Sequence, residues 1–453
     1  MLNLKNYRVL IVGLGKSGIA ASRLLTRSGA KVTAADNRQL EELSAEALAL
    51  SSLGVEIEAG THSTINFLSA DLIILSPGVP GDISPLMKAR EKGIKIIGEL
   101  ELACQYLDIP LIAITGSNGK STTTTLIGEI IKTKGDNVFV GGNLGTPLSE
   151  YILSGIRSDC AVVEVSSFQL ETIEKFSPYI SILLNISPDH LDRYHDIKDY
   201  VNAKFRIFEN QDTSDFTIIN GDEQWYEDAL KMARGKAIPF SRKKLIKNGV
   251  YIDNGKMISS IEGNSGEIIN ISEIRIKGIH NLENAMAASA AALVWGCSRD
   301  NIANTLREFS GLEHRLEFVR EISGVKYIND SKGTNVGAVI RSVEGFNEPV
   351  LLIAGGRDKG SDFTPLRPLV KEKVKRLILI GEAKEKIKAA VGDLTDTVLS
   401  GSLEDAVHIA CKEAVRGDVV LLSPACASFD MFRNFEERGR IFKEIVWRLP
   451  QTQ

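Results

Sequence analysis

The segment TGSNGKST at 115–122 places two glycines ahead of a lysine and a hydroxyl. That order suits a triphosphate. Glycines let successive backbone N–H groups face one point, and a helix N-terminus behind them favours an anion. The lysine reaches the outer phosphates and the hydroxyl can hold magnesium. The flanks agree, since Leu111 to Thr115 reads as an apolar strand and Lys120 and Ser121 open a helix continued by Thr122 to Ile131. Gly116, Ser117, Asn118, Gly119, Lys120, Ser121 and Thr122 are therefore the candidate ATP cradle. The strict pattern G-x-x-x-x-G-K-[ST] is not met, because Ile114 stands where its first glycine belongs. A glycine turn with an incidental lysine is the bland alternative, and the strand–loop–helix context argues against it.

A second glycine turn, Gly13, Gly15 and Gly18, follows the strand Arg8 to Val12, and Asp36 ends the next strand. Alone this reads as a nicotinamide or flavin site, so a dehydrogenase is the rival expectation. The same geometry accepts any diphosphate. Glu164 ends an apolar strand in AVVEVSSFQL, on the ligand side of an open sheet, where it could hold magnesium. His190, in NISPDHLDRYH, follows another strand and could bind a metal or a phosphate, while the neighbouring His195 reads as surface. Lys204, in YVNAKFRIF, sits mid-helix, where a solvated lysine is the default.

These residues need a frame. Strands at 8–12, 31–35, 72–75 and 94–97 alternate with helices, and the pattern restarts at Leu111 and again after Gly311. Such alternation predicts parallel sheets covered by helices. The expectation is an α/β protein of three domains: Rossmann-like over 1–97, a central P-loop ATPase-like domain over 98–311, and a second Rossmann-like domain over 312–453. Residues 244–278 break the pattern with Asn-Gly and Gly-Asn turns and predict a small antiparallel patch. A net charge of −4 and the lack of a basic, aromatic-laced stripe give no case for nucleic acid. Five scattered cysteines suit a reducing compartment, and no apolar run approaches the roughly 18 residues a bilayer span needs. A cytoplasmic protein with no membrane role is expected.

TGSNGKST, AVVEVSSFQL, NISPDHLDRY, YVNAKFRIF, HNLENAMAA, GLEHRLE, NDSKGTN and SPACASFDMFRNFEERG occur in this order along essentially the whole chain. Together they resemble the Mur ligases. The last two segments resemble most the branch that joins D-glutamate to UDP-N-acetylmuramoyl-L-alanine; another Mur-type amino-acid ligase is the alternative. The resemblance implies a monomer that uses ATP and two magnesium ions to make an acyl phosphate, which the D-glutamate amine then attacks. By motif it assigns Lys120 to the ATP phosphates, Ser121 and Glu164 to one magnesium, and His190 to the second. Lys204 matches a lysine that is carbamylated, which turns a cation into an anionic metal ligand. Asn281 matches an adenine contact, with a helix N-cap as its plain alternative; Arg315 and Asp330 also match the nucleotide site. Lys332 and Thr334 fall near the acyl phosphate and D-glutamate, and Lys359, Ser428, Phe429 and Phe435 in the D-glutamate pocket. Asn143 matches the substrate region, with Ser166 expected as its neighbour there, and Gly15, Lys16, Ser17, Asn37, Arg38 and Ser76 match the UDP group.

Overall fold

The computed structural model describes residues 4–60, 63–188, 193–194, 196–358 and 360–451. Its first sheet holds β1 (Arg8–Val12), β2 (Lys31–Asp36), β3 (Glu56–Ala59), β4 (Leu72–Leu75) and β5 (Lys95–Gly98), all parallel, in the order β3-β2-β1-β4-β5. Val9 to Val12 and Leu72 to Leu75 are buried throughout, as strands covered by helices on both faces must be. The order reverses between β1 and β4, which opens a crevice at their carboxyl ends.

The second sheet comprises β6 (Leu111–Thr115), β7 (Val138–Gly142), β8 (Cys160–Glu164), β9 (Ile180–Leu183), β10 (Phe216–Asn220), β11 (Lys236–Ser241), β12 (Val250–Asp253), β13 (Lys256–Ser259) and β14 (Gly266–Asn270). Their order is β14-β13-β12-β11-β10-β9-β6-β8-β7. Neighbours from β7 to β12 are parallel, while β12, β13 and β14 pair antiparallel. That antiparallel patch is the one expected from its turn residues. Asn254 and Gly255, both at positive φ, make the tight link between β12 and β13. β6 lies between β8 and β9, so the loop after β6 sits where this sheet changes direction.

The third sheet has β15 (Glu317–Ile322), β16 (Val325–Asn329), β17 (Val350–Gly355), β18 (Val374–Ile380), β19 (Asp396–Leu399) and β20 (Val419–Leu422), ordered β15-β16-β20-β17-β18-β19. Only β15 is antiparallel to its neighbour. The first two sheets belong to one compact unit; the third, with residues 274–282, forms another.

The path from the first sheet to the second is fixed by two buried carboxylates on the helix Glu99–Cys104. Glu99 accepts the Ser149 N–H at 2.8 Å. Burial raises its carboxyl, against the opposing pull of Ser149. Glu101, fully buried, accepts the N–H groups of Glu174 (2.9 Å), Lys175 (3.0 Å) and Phe176 (2.9 Å). Three consecutive backbone donors, the last of them buried, are thus satisfied by one side chain.

Candidate nucleotide and substrate sites

Gly119 caps the helix Lys120–Lys134 at φ +87. A Cβ there would fall 2.1 Å from Asn284 Oδ1, so both conformation and space require glycine. Asn185, buried two residues beyond β9, holds the loop through three hydrogen bonds. Its carbonyl accepts the Ser117 N–H at 2.9 Å. Its Oδ1 accepts the Asn118 N–H at 2.9 Å, and its Nδ2 donates to the Asn118 carbonyl at 3.0 Å. The Ser117 hydroxyl lies 3.1 Å from the Tyr200 hydroxyl. Lys120 Nζ folds back on the loop, donating to Gly116 O (2.8 Å) and Ser117 O (3.0 Å).

β8 runs beside β6, so its terminal Glu164 faces the opening of that helix. Ser121 Oγ donates to Glu164 Oε2 at 2.5 Å and Asn143 Nδ2 to Oε1 at 2.8 Å. Ser121 and Glu164 are both buried. Lys204 is not the solvated lysine its helix pattern suggests. It is 1% exposed, lies over the Tyr200 ring at 4.4 Å, and donates from Nζ to Gly116 O at 2.9 Å. Lys120, Ser121, Asn143, Glu164 and Lys204 thus converge on one loop. Two ammonium groups and a helix N-terminus favour a polyphosphate. The paired oxygens of Ser121 and Glu164 are hard donors of the kind magnesium takes alongside phosphates. As an ammonium, Lys204 has no lone pair to offer a metal. His190 and His195 lie outside the described residues.

In the first sheet the glycine turn is closed from across the crevice. Ser76 Oγ donates to Gly13 O at 2.8 Å, and a Cβ on Gly18 would lie 1.9 Å from that same oxygen. Asp36 Oδ2 accepts the Leu14 N–H at 2.7 Å and Arg38 Nη2 at 2.8 Å, while Oδ1 accepts Arg38 Nε at 2.9 Å. Burial pushes this carboxyl up, but the Arg38 and backbone donors outweigh it and hold it at about 2. The carboxylate a dinucleotide site would turn to a ribose is therefore occupied within the chain. Gly15, Lys16 and Asn37 are exposed and Ser17 half-buried at this crevice. Arg193 donates to Pro77 O (2.9 Å) and Val79 O (3.2 Å) and stacks 3.9 Å over Phe168, tying the loop after β4 to the central sheet's helices. Ser166 caps the helix Ser167–Leu170 with Gln169 in a reciprocal box, so its hydroxyl is engaged locally.

In the second unit, Asp330 follows β16 and is buried. Its Oδ2 accepts the Ser342 and Ser423 hydroxyls, each at 2.7 Å. Burial raises its carboxyl to about 6 against these donors and the charge of Arg315. Lys332 Nζ lies 3.6 Å over the Phe435 ring, and Thr334 donates its N–H to Lys332 O at 2.8 Å. Ala425, at φ +60, donates its N–H to Gly333 O at 2.8 Å, so the loops after β16 and β20 are joined. Ser428 is buried and Phe429 is 60% exposed beside it. Asn281 is not an N-cap. The helix begins at Ile279, and Asn281 Nδ2 donates back to Lys277 O at 2.8 Å. Lys359 lies outside the described residues.

Sequence reasoning missed Asn185, Asn284, Arg193 and the buried Arg438. Asn185 and Arg193 stand in NISPDHLDRYH, where the histidine is the more conspicuous ligand type; Asn284 stands three residues after Asn281.

A phosphate loop at the turning point of a mainly parallel sheet, in a chain that carries two further α/β sheets, defines a three-domain nucleotide-using architecture. The chain belongs to the Mur ligase family. Residues 7–98 match the model described as Mur ligase MurD-like, N-terminal domain; 114–292 match the Mur ligase middle domain; 314–426 match the Mur ligase glutamate ligase domain. A protein of Geotalea uraniireducens named UDP-N-acetylmuramoylalanine–D-glutamate ligase is 47% identical over 98% of both chains. A protein of Thermoanaerobacter pseudethanolicus with the same name is 47% identical over 99% of this chain and 100% of its own. The solved pseudomurein peptide ligase type C of Methanothermus fervidus shares the fold at TM-score 0.63 and 19% identity, covering 98% of this chain and 100% of that one. The MurF ligase of Thermotoga maritima in complex with ADP does so at TM-score 0.62 and 15% identity, covering 98% and 96%.

Proposed function

We propose that this chain is an ATP-dependent, ADP-forming ligase that joins D-glutamate to UDP-N-acetylmuramoyl-L-alanine in peptidoglycan precursor synthesis. The observation that carries the reading is the 47% identity, over essentially the full length, to relatives bearing that activity in their name. The loop at 115–122 with Ser121, Glu164 and Lys204 around it supports the ATP half. Among the described residues no helix is long and apolar enough to cross a membrane. We take the chain to act in the cytoplasm as a monomer. Residues 1–97 would bind the UDP group, 98–311 ATP, and 312–453 the amino acid.

A carboxylate is a poor acylating agent near neutral pH. Its oxygen attacks the terminal phosphorus of ATP, ADP leaves, and an acyl phosphate forms. The D-glutamate nitrogen then attacks the acyl carbon and loses a proton, and inorganic phosphate departs with its bridging oxygen. Catalysis is mainly positioning and neutralisation of charge on the transferring oxygens. Lys120 and the helix N-terminus behind Gly119 take the phosphates. Ser121 and Glu164 would hold one magnesium ion, which supplies charge neutralisation when bound. His190 would serve a second, and Lys204 would join the metal ligands once carbamylated. Asn281, Arg315 and Asp330 would serve the nucleotide. Asn143 and Ser166 would line the acceptor path, with Ser76 shaping rather than touching the UDP crevice of Gly15, Lys16, Ser17, Asn37 and Arg38. Lys332, Thr334, Lys359, Ser428, Phe429 and Phe435 would surround the incoming amino acid.

The test is an amino-acid panel in a phosphate-release assay with the UDP-linked acceptor. Release should require ATP, acceptor and D-glutamate together. Far better use of L-glutamate, L-alanine or a diamino acid would overturn the substrate assignment.

A further inference from the structure

Arg438 is 1% exposed and reaches inward from the helix Phe435–Arg448. Its Nε donates to Ser331 Oγ at 3.0 Å and its Nη2 to Ser331 O at 2.8 Å. The same guanidinium donates to Cys426 O at 3.3 Å and Ala427 O at 3.4 Å. A Cβ added to Gly356 would come within 3.3 Å of Nη1. Ser331, Cys426 with Ala427, and Gly356 stand in the loops that follow β16, β20 and β17, three neighbouring strands. Those loops bear Lys332, Thr334 and Ser428.

No carboxylate among the described residues lies within ion-pair distance of Arg438, and burial pushes its guanidinium down to about 10. Burying an unpaired cation is unfavourable, and carbonyl groups alone could be satisfied by neutral donors. Its planar fork carries five donors at fixed angles, so one side chain can serve acceptors on separate loops. A positive charge held at the base of these loops also suits a substrate with two carboxylates.

We propose that Arg438 is a positioning residue of the amino-acid pocket, locking the loops after β16 and β20 in register beside Gly356 and lending the pocket a positive potential. This rests on reading the second unit as the D-glutamate site. Arg438→Lys and Arg438→Met, with Ser331→Ala as a milder variant, test it in the full chain. Steady-state phosphate release gives KM for D-glutamate, ATP and the UDP-linked acceptor, and thermal unfolding reports integrity. Arg438→Lys should raise the D-glutamate KM about tenfold or more, and Arg438→Met further, as fork and then charge are lost. Ser331→Ala should raise it several-fold, and the KM values for ATP and acceptor should stay within about twofold. A role in stability alone would lower the unfolding temperature and the active fraction while leaving the D-glutamate KM unchanged. That result, or equal rises in all three KM values, overturns the proposal. Should both Arg438 variants fail to fold, an unchanged D-glutamate KM in Ser331→Ala overturns it and a selective rise supports it. A parent enzyme indifferent to D-glutamate would instead overturn the function proposed above.

Discussion

Replacing Asn185 by alanine should weaken ATP binding without disabling the rest of the enzyme. The side chain makes two hydrogen bonds to Asn118, at 2.9 and 3.0 Å. Both disappear in the variant, while the backbone bond from Ser117 N to Asn185 O needs no side chain and should remain. Asn118 is half-buried, so water can reach its freed groups, and the net value of about 1 kcal/mol per bond applies rather than the full orphan penalty. The loop is then less ordered by about 2 kcal/mol, which binding must restore. That amounts to roughly 30-fold in the dissociation constant for ATP. A titration with a non-hydrolysable ATP analogue measures this directly, and KM for D-glutamate should stay within about twofold. Asn185→Asp keeps an acceptor for the Asn118 N–H, loses the donor, and sets a negative charge beside the phosphates, so it should be worse than alanine. Nucleotide affinity within about threefold of the parent, in an alanine variant that melts like the parent, would refute the reasoning.

Lys204→Ala should lower turnover by about a hundredfold or more, since it removes a buried ammonium from Gly116 O and any carbamate built on it. Partial rescue by short carboxylic acids would support the carbamate, and full activity in the variant would exclude Lys204 from the site. Glu101→Ala should destabilise the fold by about 3 kcal/mol or more, because three backbone donors lose a buried acceptor; urea unfolding of the parent and variant checks this. Asp330 binds its proton more tightly folded than unfolded, at about 6 against an ordinary 3.8, so its contribution is present below about pH 4 and lost as pH rises through about 6. Thermal midpoints of parent and Asp330→Asn should therefore converge or cross over that window, and parallel pH profiles would contradict the assignment.

The sheets were legible where strands are buried on both faces. Val9 to Val12, Leu72 to Leu75 and Val419 to Leu422 are continuous apolar runs because helices cover both sides of a parallel sheet. The strands that escaped notice are mostly edges. β3, β7 and β19 are edge strands with burial partial along most of their length, and their apolar runs are absent or, as in Val138 to Val140, only three residues long. β16 was hidden differently: its VKYIN is apolar enough, but it follows a charged edge strand and runs straight into NDSKGTN, which reads as loop.

At the site the sequence showed which residue types were present but not how their polar atoms are divided between shaping a loop and meeting a ligand. Ser76, Ser166 and Asp36 each have the chemistry of a substrate contact, yet they bond Gly13 O, Gln169 and Arg38 within the chain. Ile114 explains why such support is needed in the central loop. Where the strict phosphate-loop pattern turns on a glycine, this residue is fully buried and paired in β6, so the chain turns later. The shorter loop has fewer residues with which to hold itself, and Asn185 supplies the missing constraint from the next strand. Asn118 N–H is then unavailable to phosphate, and the anion must rely on the groups from Gly119 onward. On the proposed reading, Lys120, Ser121 and the helix N-terminus are the binding elements, and the residues before them are the mount that aims them.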